Sequence, residues 1–205
     1  MVAEMKFLFQ TLVISFALIS NANAIHLKSG DLILQSNSCY LCSLIEAEEN
    51  SPYSHMGILV SDQGTWKILE SWGSVRMSSL NDFLSRRKPK TNSLVLRLNS
   101  PLKKSPMNSS TIISQFENNF SGLSYDSDFL WNNEDSKGEK LYCSEFIAKF
   151  LNPFLHFPIQ TKAMHFDVNR EHWINYFHGN PPDGKPGLSP GDFEKSPLFN
   201  KVGLI

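Results

Sequence analysis

Two short apolar runs, Met56–Val60 and Trp66–Leu69, flank the turn-forming stretch Ser61-Asp62-Gln63-Gly64, and this pattern predicts a β-hairpin. A run just before it, "SGDLILQS", reads as a turn at Gly30-Asp31 followed by a short strand, and "SLVLRLN" further on alternates as another. Elsewhere the period lengthens. In "NSSTIISQFENNFSG", Ile112, Ile113, Phe116 and Phe120 share one helical face, with Gly122 as the stop. In "YCSEFIAKFL", Phe146, Ile147, Phe150 and Leu151 have helical spacing, and Pro153 ends the segment. Shorter helices are expected at "CSLIEAEE", at "SLNDFLSRR" with Ser79 or Asn81 as the cap, and at "LSPGDFEK", where Ser189 and Asp192 stand in capping-box positions. Strands and helices mix without βαβ alternation, so the expected class is α+β: a small antiparallel sheet packed against helices.

The first residues change the picture of where this fold works. Lys6, the uncharged run Phe7–Ile19 and the small-residue sequence Asn21-Ala22-Asn23-Ala24 form the pattern of a secretory signal cleaved after Ala24. The expected division is a signal over residues 1–24 and a single domain over residues 25–205, exported to the periplasm or the exterior. No other segment has the length of apolar chain that spans a bilayer. The formal net charge of the 205-residue chain is −1, which gives no electrostatic argument for a nucleic-acid partner.

The chain has three cysteines, an odd number for an oxidising compartment. Cys39 and Cys42 in "NSCYLCSL" are close enough to bridge each other; equally, all three thiols could be reduced, with the short pair as apolar filling. No second ligand pair with metal-like spacing accompanies them, so no metal or other cofactor is expected. Cys143 stands where the last long helix begins. A thiolate there meets the positive end of the helix dipole, and the same free N–H groups stabilise an oxyanion. The bland alternative is a structural cysteine. His55, at the entry of the first hairpin strand, is the candidate base, and Glu70, at the end of the second, is the candidate to orient it from across the hairpin. For each, a purely structural or solvent-facing role is the competing reading.

"GDLILQ", "SHMGILV", a glutamate after the next strand, "SYDSDF" and "LYCSEF", in this order, resemble the permuted NlpC-like papain-fold cysteine hydrolases of the YaeF/YiiX group. The resemblance runs from about Gly30 to Phe150, and "SPGDFEKSPLF" is similar to the group's C-terminal segment. It implies a circularly permuted papain-like fold, with Cys143 as nucleophile, His55 as general base and Glu70 as the third member. Tyr125 and Asp126 match the element preceding the cysteine helix and are implied to line the cleft. Asp31 of the GD motif joins them as a substrate-contact candidate, with a backbone-bonding turn role as its alternative. Tyr53, in the turn before His55, completes that set.

The expected function is therefore an exported thiol hydrolase. It would act on a peptide, a cell-wall peptide or a lipid-derived acyl group through a thioacyl intermediate, as amidase, peptidase or acyltransferase. The rivals are a non-catalytic ligand- or lipid-binding protein on the same fold, and a structural protein with Cys143 in a disulfide.

Overall fold

The structure, a computed structural model, describes residues 25–205; the expected signal, residues 1–24, lies outside the described residues. In chain order the elements are β1 (Leu32–Gln35), α1 (Tyr40–Glu48), β2 (His55–Asp62), β3 (Thr65–Trp72), β4 (Ser74–Ser79), α2 (Leu80–Ser85), β5 (Leu94–Leu98) and α3 (Ser109–Asn119). Then come β6 (Glu134–Asp135), β7 (Gly138–Glu139), α4 (Cys143–Leu151), β8 (Lys162–Ala163), α5 (Arg170–Tyr176), β9 (Pro186–Gly187), α6 (Pro190–Lys195) and β10 (Phe199–Leu204). Among the described residues, no helix is long and apolar enough to cross a membrane.

One six-stranded antiparallel sheet, in the order β10-β5-β1-β2-β3-β4, organises the molecule. Its central strands are apolar on both faces because both are covered. Leu32, Leu34, Met56 and Ile58 join Phe116, Phe146, Ile147 and Phe150 of α3 and α4 in the larger core. Ile33, Leu59 and Ile68 face the other way and pack with Phe83 of α2. The sheet is thus a layer between helices.

The expected hairpin forms with a tighter turn. Ser61 and Asp62 continue β2 opposite Trp66 and Thr65, so only Gln63 (φ 47°) and Gly64 (φ 79°) turn the chain. Positive φ at both central residues matches the twist of the flanking strands. The α2 helix takes Ser79 as its N-cap, and Ser189 and Asp192 form the reciprocal capping box of α6. The α1 helix begins two residues earlier than "CSLIEAEE" indicated, at Tyr40.

Three features depart from the sequence reading. Ser74–Ser79 pairs with β3 as a further strand, and the C-terminal Phe199–Leu204 pairs with β5 at the opposite edge of the sheet. Residues 162–187, expected as loop, contain α5 and the two-stranded β8–β9 ribbon. Arg170–Tyr176 begins after Asn169, a left-handed residue (φ 59°) that provides no side-chain cap, so the usual start signal is missing there.

Candidate active site

His55 is the first residue of β2, and extending the Ile58–Leu69 register by one position sets Gly57 opposite Glu70. Glu70 is therefore diagonal to His55 on the same face of the sheet, and its Oε2 lies 2.7 Å from His55 Nε2. Glycine between them permits a close approach. A Cβ on Gly57 would stand 2.3 Å from Ile68 Cγ2 and 3.0 Å from the Leu69 carbonyl oxygen.

Glu70 is fully buried and fully engaged. Its Oε1 accepts hydrogen bonds from Ser78 Oγ at 2.6 Å and from Arg86 at 2.6 Å, with Arg76 at 3.5 Å. Burial opposes ionisation, but the bond to His55, its charge, Arg86 and Ser78 outweigh it and hold the carboxyl at about 2. An ionised carboxylate can only accept, so His55 Nε2 carries the proton and Nδ1 is left for a second partner. The ring is held in place by Trp72, edge-on with centroids 5.1 Å apart, and by Phe83 at 5.4 Å.

Cys143, the first residue of α4, is the other polar group beside the ring. Burial lowers the affinity of His55 for a proton, but the neighbouring Cys143 thiol, the bond to Glu70 and the charges of both raise its pKa above the ordinary value. Cys143 is a free thiol, buried at 7% exposure, whereas Cys39 and Cys42 are joined in a disulfide. The bridge overturns the reading in which Cys143 is disulfide-bonded, and it removes the thiolates on which a zinc site at Cys39 and Cys42 would depend.

The residues beside Cys143 fix its surroundings. Tyr142, the N-cap of α4, offers the helix no side-chain cap, leaving the first N–H groups free of one. Its hydroxyl instead accepts from Leu188 N–H at 3.2 Å, while Ser144 Oγ donates to the Leu188 carbonyl at 2.8 Å. Glu145 reaches the other way, accepting from Asn132 N–H at 3.1 Å and pairing with Lys149 at 2.9 Å. The three side chains that flank the cysteine in "YCSE", Tyr142, Ser144 and Glu145, thus clamp the segments on either side of it.

His55 and Cys143 line one cleft enclosing about 670 Å³, counting its open mouth. Tyr125 is in its wall, and its hydroxyl pKa is raised, first by burial and then by the charge of Cys143. Asp126, Asp31 and Tyr53 are not brought to that wall. Asp126 is buried beneath the neighbouring loop, accepting from Leu130 N–H at 2.8 Å, Asp128 N–H at 3.1 Å and Asn133 Nδ2 at 2.8 Å. Asp31 takes both arms of Arg97 at 2.7 Å and Lys28 N–H at 2.8 Å, which makes it a brace between β1 and β5. Tyr53 packs into the larger core. Each is a buried group whose partners lie within the fold, and no signal in "GD", "YD" or "PYS" distinguishes that from a cleft position.

Sequence reasoning passed over Arg86, Trp72, Phe129, Met164, His165, Phe166 and Trp173. All but Arg86 line the cleft, while Arg86 sits 4.9 Å over the Trp72 ring and anchors Glu70. "SRR" at the end of a helix does not tell which arginine turns inward.

The family described as "permuted papain-like amidase enzyme, YaeF/YiiX, C92 family" matches residues 26–203. Among solved structures, the crystal structure described as metalloprotein yiiX from Escherichia coli O157:H7 is similar, with a TM-score of 0.73 and 22% identity over 87% of this chain and 97% of that one. At that identity it speaks for a shared fold. No curated protein matches.

Proposed function

The chain belongs to the permuted papain-like amidases of the YaeF/YiiX, C92 family, and from that premise we propose that it is a cysteine hydrolase opening an amide or ester bond through Cys143, His55 and Glu70. The observation carrying this reading is the buried cluster: a carboxylate bonded to the imidazole at Nε2, and a free thiol at the start of α4 beside the same ring in one cleft.

His55 Nδ1 takes the thiol proton as the Cys143 sulfur attacks the carbonyl carbon, forming a C–S bond and an oxyanion. The uncapped N–H groups opening α4 are the donors available to that oxyanion, and Tyr125 of the same cleft wall carries a further one. Collapse expels the amine or alcohol, which leaves with the proton from His55. Water, deprotonated by His55, then attacks the thioester, releasing the carboxylic acid and restoring the thiol. Glu70 stays ionised throughout and stabilises the imidazolium.

The signal-like pattern of residues 1–24 and the Cys39–Cys42 bridge support work in an exported, oxidising setting. The acyl donor is a peptide, a cell-wall peptide or a lipid-derived acyl compound. The test is turnover by purified protein against activated amides and esters: activity lost in both Cys143→Ala and His55→Ala supports the reading. A native protein that binds these compounds and never turns them over favours the non-catalytic rival.

A further inference from the structure

Beyond His55, Trp72 and the start of α4, the wall of the cleft around Cys143 is supplied by α1 and its flanks, residues 125–129, residues 164–173 and residues 188–190. Their inward side chains are chiefly apolar, among them Leu41, Ile45, Phe129, Met164, Phe166 and Leu188. The polar side chains of the wall mostly bond within the fold. Glu48 Oε2 accepts from Val168 N–H at 2.8 Å and Trp173 Nε1 at 3.2 Å. Glu49 pairs with Lys162 at 2.7 Å, and Ser54 donates to Glu46 at 2.8 Å. Ser144 and Tyr142 are held by Leu188, and Ser189 by Asp192. His55 is held by Glu70, so among the described residues the polar wall side chains without such a partner are Cys143, Tyr125, His165 and Trp72.

A hydrophilic peptide entering this cleft would leave water without finding replacement hydrogen-bond partners along most of the wall. An alkyl chain loses nothing by entering and gains with every methylene buried. From this we infer that the acyl group delivered to Cys143 carries a medium-length aliphatic chain that fills the apolar wall, with the polar leaving group at the open mouth. The inference rests on the proposed thiol chemistry for its reaction, but its binding half stands apart from that chemistry.

Two measurements separate the halves. The first is hydrolysis of p-nitrophenyl esters from acetate to decanoate by the native protein, giving carboxylate and p-nitrophenol. The second is binding of decanoate to Cys143→Ala, followed by calorimetry. The inference expects kcat/KM to rise roughly threefold to fourfold per added methylene until the chain outgrows the cleft, and expects saturable binding in Cys143→Ala. Ile45→Gln should narrow the decanoate-to-acetate ratio by about tenfold, a ratio that a general loss of fold would leave alone. Turnover with a flat chain-length profile overturns the inference while sparing the cysteine reading. Decanoate binding without any turnover upholds the apolar acyl cleft and removes the cysteine reading. Absence of decanoate binding in a folded Cys143→Ala protein overturns the inference outright.

Discussion

His55 and Glu70 meet at 2.7 Å along a diagonal of the β2–β3 hairpin, and the position directly opposite the carboxylate is a glycine. The acid is linked to the ring while Ser78, Arg86 and Arg76 surround its other oxygen.

The first expectation concerns Glu70→Gln. Losing an ionised partner should lower kcat by about 10–100-fold, less than His55→Ala does, because the amide still accepts from Nε2. The pH dependence follows from the sign of the shift. A carboxyl depressed from 4.5 to about 2 contributes stability that is present above pH 4.5 and lost as pH falls towards 2. Denaturant titrations should therefore show native and variant diverging by on the order of 3 kcal/mol above pH 4.5 and converging near pH 2.

Arg86 touches the ring's supports and not the ring: it pairs with Glu70 and lies over Trp72 and Phe83. Arg86→Met keeps an unbranched side chain but removes the guanidinium that lies over Trp72 and pairs with Glu70, so Glu70 should titrate higher and the acid loss of stability should move to higher pH. Arg76 and Ser78 still face Glu70, which limits the fall in kcat/KM to about tenfold. Arg86→Lys should recover much of the difference; an unchanged acid limb in Arg86→Met would contradict the role.

Gly57→Ala tests the close packing behind the histidine. Its Cβ would meet Ile68 and the Leu69 carbonyl, and the overpacking should cost about 1–3 kcal/mol, read as a lower midpoint in thermal unfolding. Gly57 is not in the left-handed region, so the penalty is steric.

Glu145 is the opposite electrostatic case. Burial pushes its carboxyl up to about 7 despite Lys149 and Asn132, and Oε2 is buried without a partner. The folded state then holds more protons than the unfolded one between pH 4.5 and 7, so stability falls as pH rises through that window. Glu145→Gln keeps an acceptor for Asn132 N–H and carries no charge. It should be more stable than the native protein at pH 8, by roughly 1–3 kcal/mol, with the advantage gone near pH 4.5.

The parts legible in the sequence are those written locally. A hairpin declares itself by alternating apolar runs around Gln63-Gly64, and α4 by the spacing of Phe146, Ile147 and Phe150. The positions of His55, Glu70 and Cys143 on those elements follow directly. What the string does not show is which distant groups complete each polar side chain. Asp31 and Arg97 are 66 residues apart, and Ser144 and Leu188 are 44. The β4 strand is likewise recruited by its neighbour. "SVRMSS" has only Val75 and Met77 to offer a core, and it is held by pairing with β3. The cleft wall from Met164 to Trp173 is built by an aromatic cluster of Phe166, Trp173 and Tyr142, whose members come together only in three dimensions.

The most direct test of a sulfur nucleophile served by a fixed imidazole is to stop the reaction with p-nitrophenyl acetate in acid during the first turnover and map the acyl adduct by mass spectrometry. The arrangement predicts an acetyl group on Cys143 in the native protein, a much smaller adduct in His55→Ala and none in Cys143→Ala. Turnover that leaves Cys143 unmodified and continues in Cys143→Ala would contradict it.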